Sequence, residues 1–361
     1  MTADHPYRAL PDRAYWRRAV VEARLGPDLV SPDLRLSPDD RIATAGSCFA
    51  QHIGRHLAAA GFGYLVTEPA HPIVPADLAR EAAYGVFTAR YGNIYTTLQL
   101  LQLIERAYGR FLPAETAWQD AGGALVDPFR PTVQPGGFAS MAELEADRDR
   151  HLACVREAFE TLDVFVFTLG LTETWLSRRD GAALPLCPGV AGGRFDPAAY
   201  AFHNLRAAEV RGQLGSFIER LRAVNPRARM LLTVSPVPLT ATATGEHVLA
   251  ATNYSKSVLR VAAQEAADEL PDVHYFPSYE IITGPQAKGR FYADNLREVT
   301  PEGVAQVMAL FLRAVAGIEA AEPPPAPPDA PAVPDRAVAA AAGWIEAMCD
   351  EAMLDRPADG G

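Results

Sequence analysis

The sequence predicts an α/β protein, a three-layer α/β/α sandwich built on a mainly parallel five-stranded sheet. Three observations predict it. From residue 41 to about residue 316, short apolar runs of strand type alternate with longer stretches whose apolar residues recur at helical spacing. The strongest run, Asp163-Val164-Phe165-Val166-Phe167-Thr168-Leu169, is apolar at nearly every position, as a strand buried on both faces requires. The chain has 361 residues, 49% hydrophobic and 21% charged, which is enough for one large α/β domain with appendages.

In order, residues 1–40 hold Tyr7, Tyr15 and Trp16, one helix and then a run of Pro and Asp, and read as an N-terminal arm packed on the core. The domain itself is expected over 41–318. Its first strand, 41–45, leads through Gly46 into a helix marked by Phe49, Ile53 and Leu57, and glycine permits the tight reversal between them. A second strand, 63–67, ends in a loop with Pro69, Pro72 and Pro75. Residues 91–97 lead into a helix over 98–108. Residues 110–140 are rich in Gly, Pro and Asp, with Trp118, Phe129 and Phe138 suggesting a packed excursion. A helix over 141–161 precedes the third strand, 163–169, and 177–196 is a second excursion. Helix 205–224, strand 230–234, helix 248–270, strand 273–277 and helix 301–315 complete the alternation, with Pro301 in a first turn where its missing N–H is no loss. Such an alternation implies parallel strands with helices on both faces and a ligand site beyond the carboxyl ends of the strands. The loops there begin at Gly46, Gly170, Ser235 and Pro277. Residues 319–334 read as a Pro/Ala linker, and 335–361 as a C-terminal helix and tail suited to a protein contact.

Composition narrows the partners. With 33 basic against 44 acidic residues the net charge is −11, which argues against a nucleic-acid footprint or an anionic membrane surface. Four cysteines, at 48, 154, 187 and 349, are too scattered for a disulfide framework or a zinc knuckle. Residues 1–18 lack the apolar core of a secretory signal and no apolar run reaches membrane-spanning length, so a cytoplasmic location is expected. No cofactor is expected, and no metal: His52 and His56 lie one turn apart, but Ile53 stands where a zinc protease has its glutamate, and no third ligand is apparent.

Chemistry should start at Thr44-Ala45-Gly46-Ser47-Cys48-Phe49-Ala50. A hydroxyl where a strand turns into a helix meets unpaired N–H groups and the positive end of the helix dipole, a ready setting for an oxyanion. The same position suits a serine that merely caps the helix, and both readings stand on local sequence. The Cys48 thiol is a second candidate nucleophile.

Gly46-Ser47-Cys48-Phe49-Ala50 resembles the signature of the GSCFA family, a branch similar to the SGNH/GDSL hydrolases, in which a block after the first strand carries a nucleophilic serine. Further segments match in order over about residues 30–316. Gly92-Asn93 resembles the loop that supplies oxyanion contacts; Thr168-Leu169-Gly170-Leu171-Thr172-Glu173 takes the place of the Gly-x-Asn-Asp block; Thr233-Val234-Ser235-Pro236-Val237 and Ser255-Lys256 resemble later segments. The resemblance implies a flavodoxin-like sandwich of SGNH-hydrolase type. It also implies a serine esterase or O-acyltransferase acting on the acyl ester of a glycan or small metabolite. Ser47 would be its nucleophile; the Ser47 N–H, Gly92 and Asn93 its oxyanion donors; and Gly170, Thr172 and Glu173 its substrate-binding residues. Three positions depart from the pattern. Asn295 and Glu298 stand where the family's relatives carry the Asp and His of an Asp-x-x-His block, and Thr172 stands for an asparagine.

A serine hydroxyl needs a base to be nucleophilic at neutral pH. His247 follows the loop of the fourth strand, Glu298 occupies the matching position, and His203 is a third candidate. Lys256 and Arg297 suit an anionic acyl carrier or carboxylate, or simply a solvated surface. The alternative to an enzyme is a non-catalytic relative that keeps the cleft to bind a glycan or acyl-bearing ligand.

Overall fold

Four parallel strands form the centre of the computed structural model, which describes residues 5–22, 26, 29, 34–317 and 353–354. In chain order the elements are β1 (Ile42–Gly46), α1 (Ala50–Ala59), α2 (Ala76–Glu81), α3 (Thr97–Ala107), β2 (Trp118–Gln119), β3 (Leu125–Val126), α4 (Met141–Thr161), β4 (Val164–Leu169), β5 (Glu173–Ser177), β6 (Ala183–Leu184), β7 (Tyr200–Asn204), α5 (Ala207–Val224), β8 (Arg229–Val234), α6 (Val248–Glu269), β9 (Val273–Phe276), α7 (Ser278–Thr283) and α8 (Pro301–Ala316). The central sheet has the order β1-β4-β8-β9. Its register sets Gly46 beside Thr168 and Thr168 beside Thr233 at the carboxyl end.

The alternation of β4 side chains explains why helices cover both faces. Phe165, Phe167 and Leu169 join a core with α3, α4, α5 and α6, while Val164 and Val166 join a second core with α1, α7 and α8. Phe165 stacks edge-on against Phe159 of α4 with centroids 5.9 Å apart, so truncating it to alanine should cost about 3–5 kcal/mol.

The five-stranded sheet expected from sequence is corrected to four strands. Residues 63–67 make one parallel bridge, Tyr64 to Ile42, with Ile42 N donating to Gly63 O (2.8 Å) and Leu65 N to Ile42 O (2.9 Å). The ladder stops because Thr88 takes the next groups: Thr44 N donates to Thr88 Oγ1 (3.0 Å) and Thr67 N to Thr88 O (2.9 Å). Around the second excursion, residues 173–204 form a separate antiparallel sheet of order β6-β5-β7, which the sequence reading left without strands, packed around Trp175, Phe195 and Phe202.

Of the N-terminal arm, residues 5–22 form short exposed turns, with Tyr7 and Trp16 open to solvent. Leu34 and Leu36 are buried against the second core, and Leu36 N donates to Val315 O of α8 (2.8 Å). The expected linker over 319–334 lies outside the described residues, as does the C-terminal helix and tail over 335–361 apart from 353–354. Among the described residues no helix is long and apolar enough to cross a membrane.

Candidate active site

The loops beyond β1 and β4 converge at the carboxyl edge of the sheet, and glycine is what lets them close. Gly46 has φ of +133°, and a Cβ there would lie 2.3 Å from Thr168 O, so β1 and β4 stay paired to their ends only with glycine at this position. The chain then turns through Ser47, Cys48 and Phe49, with Ala50 N donating to Ser47 O (2.9 Å), and α1 begins at Ala50. Ser47 thus precedes the helix, and its side chain caps nothing. Its Oγ is buried with no hydrogen-bond partner, and the residue is 3% exposed. The Ser47 N–H donates to Thr168 O (3.2 Å), so it is already engaged and not free for an oxyanion.

Backbone bonds bring the other expected residues to the same edge. Ile94 N donates to Gly46 O (2.9 Å), which seats the Gly92-Asn93 loop beside the turn. Gly92 has φ of +67° and Asn93 is buried. Gly170 N and Leu171 N both donate to Tyr95 O (3.1 and 2.9 Å). A Cβ on Gly170 would sit 3.2 Å from Ser47 Cβ, so this glycine is the immediate wall of the serine. Thr172 is buried and committed elsewhere: its Oγ1 donates to Asn204 Oδ1 of β7 (2.7 Å) and its N–H to Ser255 Oγ of α6 (3.1 Å). Glu173 ties down the loop after β8, accepting from Thr242 Oγ1 (2.5 Å) and Ala243 N (3.1 Å).

The base candidates are placed less directly. His247 is exposed and caps α6, its Nδ1 accepting from Leu249 N (3.1 Å). A neutral imidazole that accepts at Nδ1 carries its proton on Nε2, so no lone pair is left to take one from serine while that cap holds. Glu298 is half-buried in a tight turn with Asn295, whose Nδ2 donates to Glu298 Oε1 and whose Oδ1 accepts from the Arg297 and Glu298 N–H groups, each at 3.0 Å. Neither group is hydrogen-bonded to Ser47 Oγ. His203 pairs with Glu209 at the start of α5 (Nε2 to Oε1, 2.8 Å). His56 Nδ1 meets the carbonyl of His52 in its own helix (2.8 Å), and among the described residues no cluster of His, Cys, Asp and Glu is arranged to hold a metal. Burial, with Arg55 and His56 alongside, pushes His52 down to about 3, so it is neutral.

Two features were misjudged or missed from sequence. Lys256 is a buried side chain rather than a solvated one, with Nζ donating to Gly170 O (2.7 Å) directly behind the wall of Ser47. A buried ammonium there favours negative charge developing on the near side of that loop. Beside Ser47, one helical turn on, Gln51 is fully buried with neither amide atom hydrogen-bonded, and Thr168 Oγ1 is equally without a partner. The signal for Gln51 was its spacing, three residues before buried Gly54, which puts the two on one face of α1.

No curated protein and no solved structure matches the chain. A sequence model of the GSCFA family matches residues 41–311, most of the chain and all of the central sheet.

Proposed function

Because the chain belongs to the GSCFA family, we propose that it is a serine esterase or O-acyltransferase of SGNH type, acting on the acyl ester of a glycan or small metabolite through an acyl-Ser47 intermediate. The observation that carries this reading is Ser47 Oγ, a buried hydroxyl without a partner where the loops of a parallel sheet meet. Leaving such a group unsatisfied costs about 1–3 kcal/mol, a penalty that a serine with only a structural role avoids by bonding. The strand order supports the reading: with the Tyr64 bridge counted beside β1, it is the 2-1-3-4-5 order of flavodoxin-like sheets.

In the reaction, Oγ attacks the acyl carbonyl while a base takes its proton, the alcohol leaves with a proton, and water or a second hydroxyl then attacks the acyl-serine. Hydrolysis and transfer differ only in that acceptor. Gly92, Asn93 and Gly170 shape the oxyanion side, and Lys256 supports it electrostatically from behind Gly170. Thr172 and Glu173 hold the surrounding loops. Glu298 fits the role of base better than His247, because its second oxygen makes no hydrogen bond among the described residues, whereas the His247 lone pair is spent on Leu249 N.

A serine-directed fluorophosphonate and short p-nitrophenyl esters test the reading on the full chain. Labelling and turnover are expected to vanish in Ser47→Ala, and Glu298→Gln is expected to lower turnover by at least about a hundredfold. His247→Ala measured alongside settles the choice of base: the variant that leaves turnover unchanged is not it. A second reading, a non-catalytic protein that binds a glycan or acyl-bearing ligand, is favoured by the absence of any base bonded to Ser47. An intact fold that neither labels nor turns over would establish it instead.

A further inference from the structure

Beside the Gly92-Asn93 loop a small pocket, partly open to solvent, is lined by Tyr91, Asn93, Gln102, Arg106, Arg130 and His151. Three of these side chains are buried and carry a nitrogen with no hydrogen-bond partner: Arg106 Nη2, Arg130 Nη1 and His151 Nε2. The surrounding charges do not cancel. Arg90 pairs with Asp147 (2.7 Å), Arg130 with Asp147 (2.8 Å) and Asp127 (3.0 Å), and Arg148 with Asp127 (3.4 Å), while Glu68 is bonded to His151 Nδ1 (2.7 Å). Arg106 makes no ion pair among the described residues and lies over the Phe129 ring, 3.9 Å from its centroid. The four guanidiniums of Arg90, Arg106, Arg130 and Arg148 thus face the three carboxylates of Glu68, Asp127 and Asp147. A buried cation in excess is destabilising unless something pairs with it.

The unsatisfied atoms specify the missing partner. Arg106 and Arg130 offer donors only. His151 gives its Nδ1–H to the Glu68 carboxylate, which leaves Nε2 as an acceptor on a neutral ring. Burial, with Arg130 beside it, pushes His151 down to about 4 and keeps that ring neutral at pH 7. Hydrogen bonding asks for a ligand with two acceptors and an O–H, and the excess of buried guanidinium charge asks for an anion; a monoprotonated oxyanion answers both. We propose that this pocket binds a hydrogen phosphate, free or as the monoprotonated phosphate of a phosphomonoester, with Arg106 and Arg130 donating to its charged oxygens and His151 Nε2 accepting from its P–OH. Sulfate has the same shape and no proton to give.

Calorimetric titration of the full chain at pH 7 and fixed ionic strength tests this, with inorganic phosphate, glycerol phosphate and sulfate as probes. Phosphate or glycerol phosphate is expected to bind saturably, one per chain, and at least about tenfold more tightly than sulfate, the worth of one hydrogen bond to a buried group. The tighter of the two phosphates identifies the source. Arg106→Gln, which breaks no ion pair, should weaken that binding by about tenfold or more. Ser47→Ala should bind phosphate as the parent does, so this site and the acyl chemistry stand or fall separately. The absence of saturable phosphate binding, equal affinity for sulfate, or unchanged binding in folded Arg106→Gln would each overturn the proposal. The phosphate-to-sulfate comparison needs no variant and remains decisive if Arg106→Gln does not fold.

Discussion

Replacing Gln51 by methionine is expected to make the protein more stable. Gln51 lies on α1 with no exposed surface, and neither Oε1 nor Nε2 is hydrogen-bonded. Folding strips both groups of their water and returns nothing, at about 1–3 kcal/mol each. Methionine has similar length, volume and helix propensity, so the exchange removes two unsatisfied groups without opening a cavity. Taking the low end of that range twice gives a gain of about 2 kcal/mol. In urea denaturation followed by circular dichroism, with a slope of about 3 kcal/mol/M, the midpoint should rise by about 0.7 M with the slope unchanged. A midpoint lower than that of the parent would refute the reasoning, since it would mean that the amide has partners it loses. The same variant probes function. If the amide is retained for a ligand at Ser47, the more stable protein will label more slowly with the fluorophosphonate, the usual exchange of stability against a polar site.

Other perturbations follow from the same geometry. Gly46→Ala forces a Cβ to within 2.3 Å of Thr168 O and should cost about 2–4 kcal/mol in backbone strain and a lost hydrogen bond; a stability from urea denaturation within about 0.5 kcal/mol of the parent would contradict the pairing described for β1 and β4. His151, facing Glu68, Arg130, Arg106 and Tyr91, is held at about 4 by burial, against about 6.5 in an unfolded chain. Because the folded value is the lower one, its contribution is fully present above pH 6.5 and is lost as pH falls towards 4, about 3 kcal/mol in all; urea titrations between pH 7 and 4.5 should show this slope in the parent and a flatter one in His151→Gln. Glu173→Ala removes the acceptor for Thr242 and Ala243, so proteinase K should cut faster within 240–247 while global stability changes by less than about 1 kcal/mol; unchanged cutting would show that the loop is held by something else.

The elements that were legible are those whose burial is symmetric. β4 and β8 are near-continuous apolar runs because both faces are covered, and the helix over 141–161 was readable to its ends through its charge-rich start and apolar spacing. The second strand failed because Thr88, some twenty residues further on, claims Thr44 N and Thr67 N, a competition that no local pattern reveals. β5 and β7 were missed because their small sheet covers one face only and their sequences, Glu-Thr-Trp-Leu-Ser and Tyr-Ala-Phe-His-Asn, read as polar. At the candidate site, Gly46, Ser47 and Gly170 were found through their place at strand ends, and Gly92 and Asn93 through the family resemblance. What stayed hidden was the inward-facing charge, because Lys and Arg are read as solvated by type. Spacing held the hint: Arg106 follows buried Leu103 by three residues, and His151 lies seven past Leu144 and four before Val155.

The pairing of β1 with β4 joins Arg41 to Asp163 across 122 residues of chain. On the ribosome, at about 5–20 residues per second, the first strand therefore waits roughly 6–24 s for its neighbour. Through that interval an apolar strand has an open edge and depends on chaperones or on α1 to keep it from pairing elsewhere. Thr168 and Gly170 arrive together at the end of the wait and complete the surroundings of Ser47 that the Gly92-Asn93 loop begins. A product cut short before residue 168 would carry the serine signature intact but lack the strand that pairs with Gly46 and the wall that Gly170 gives Ser47.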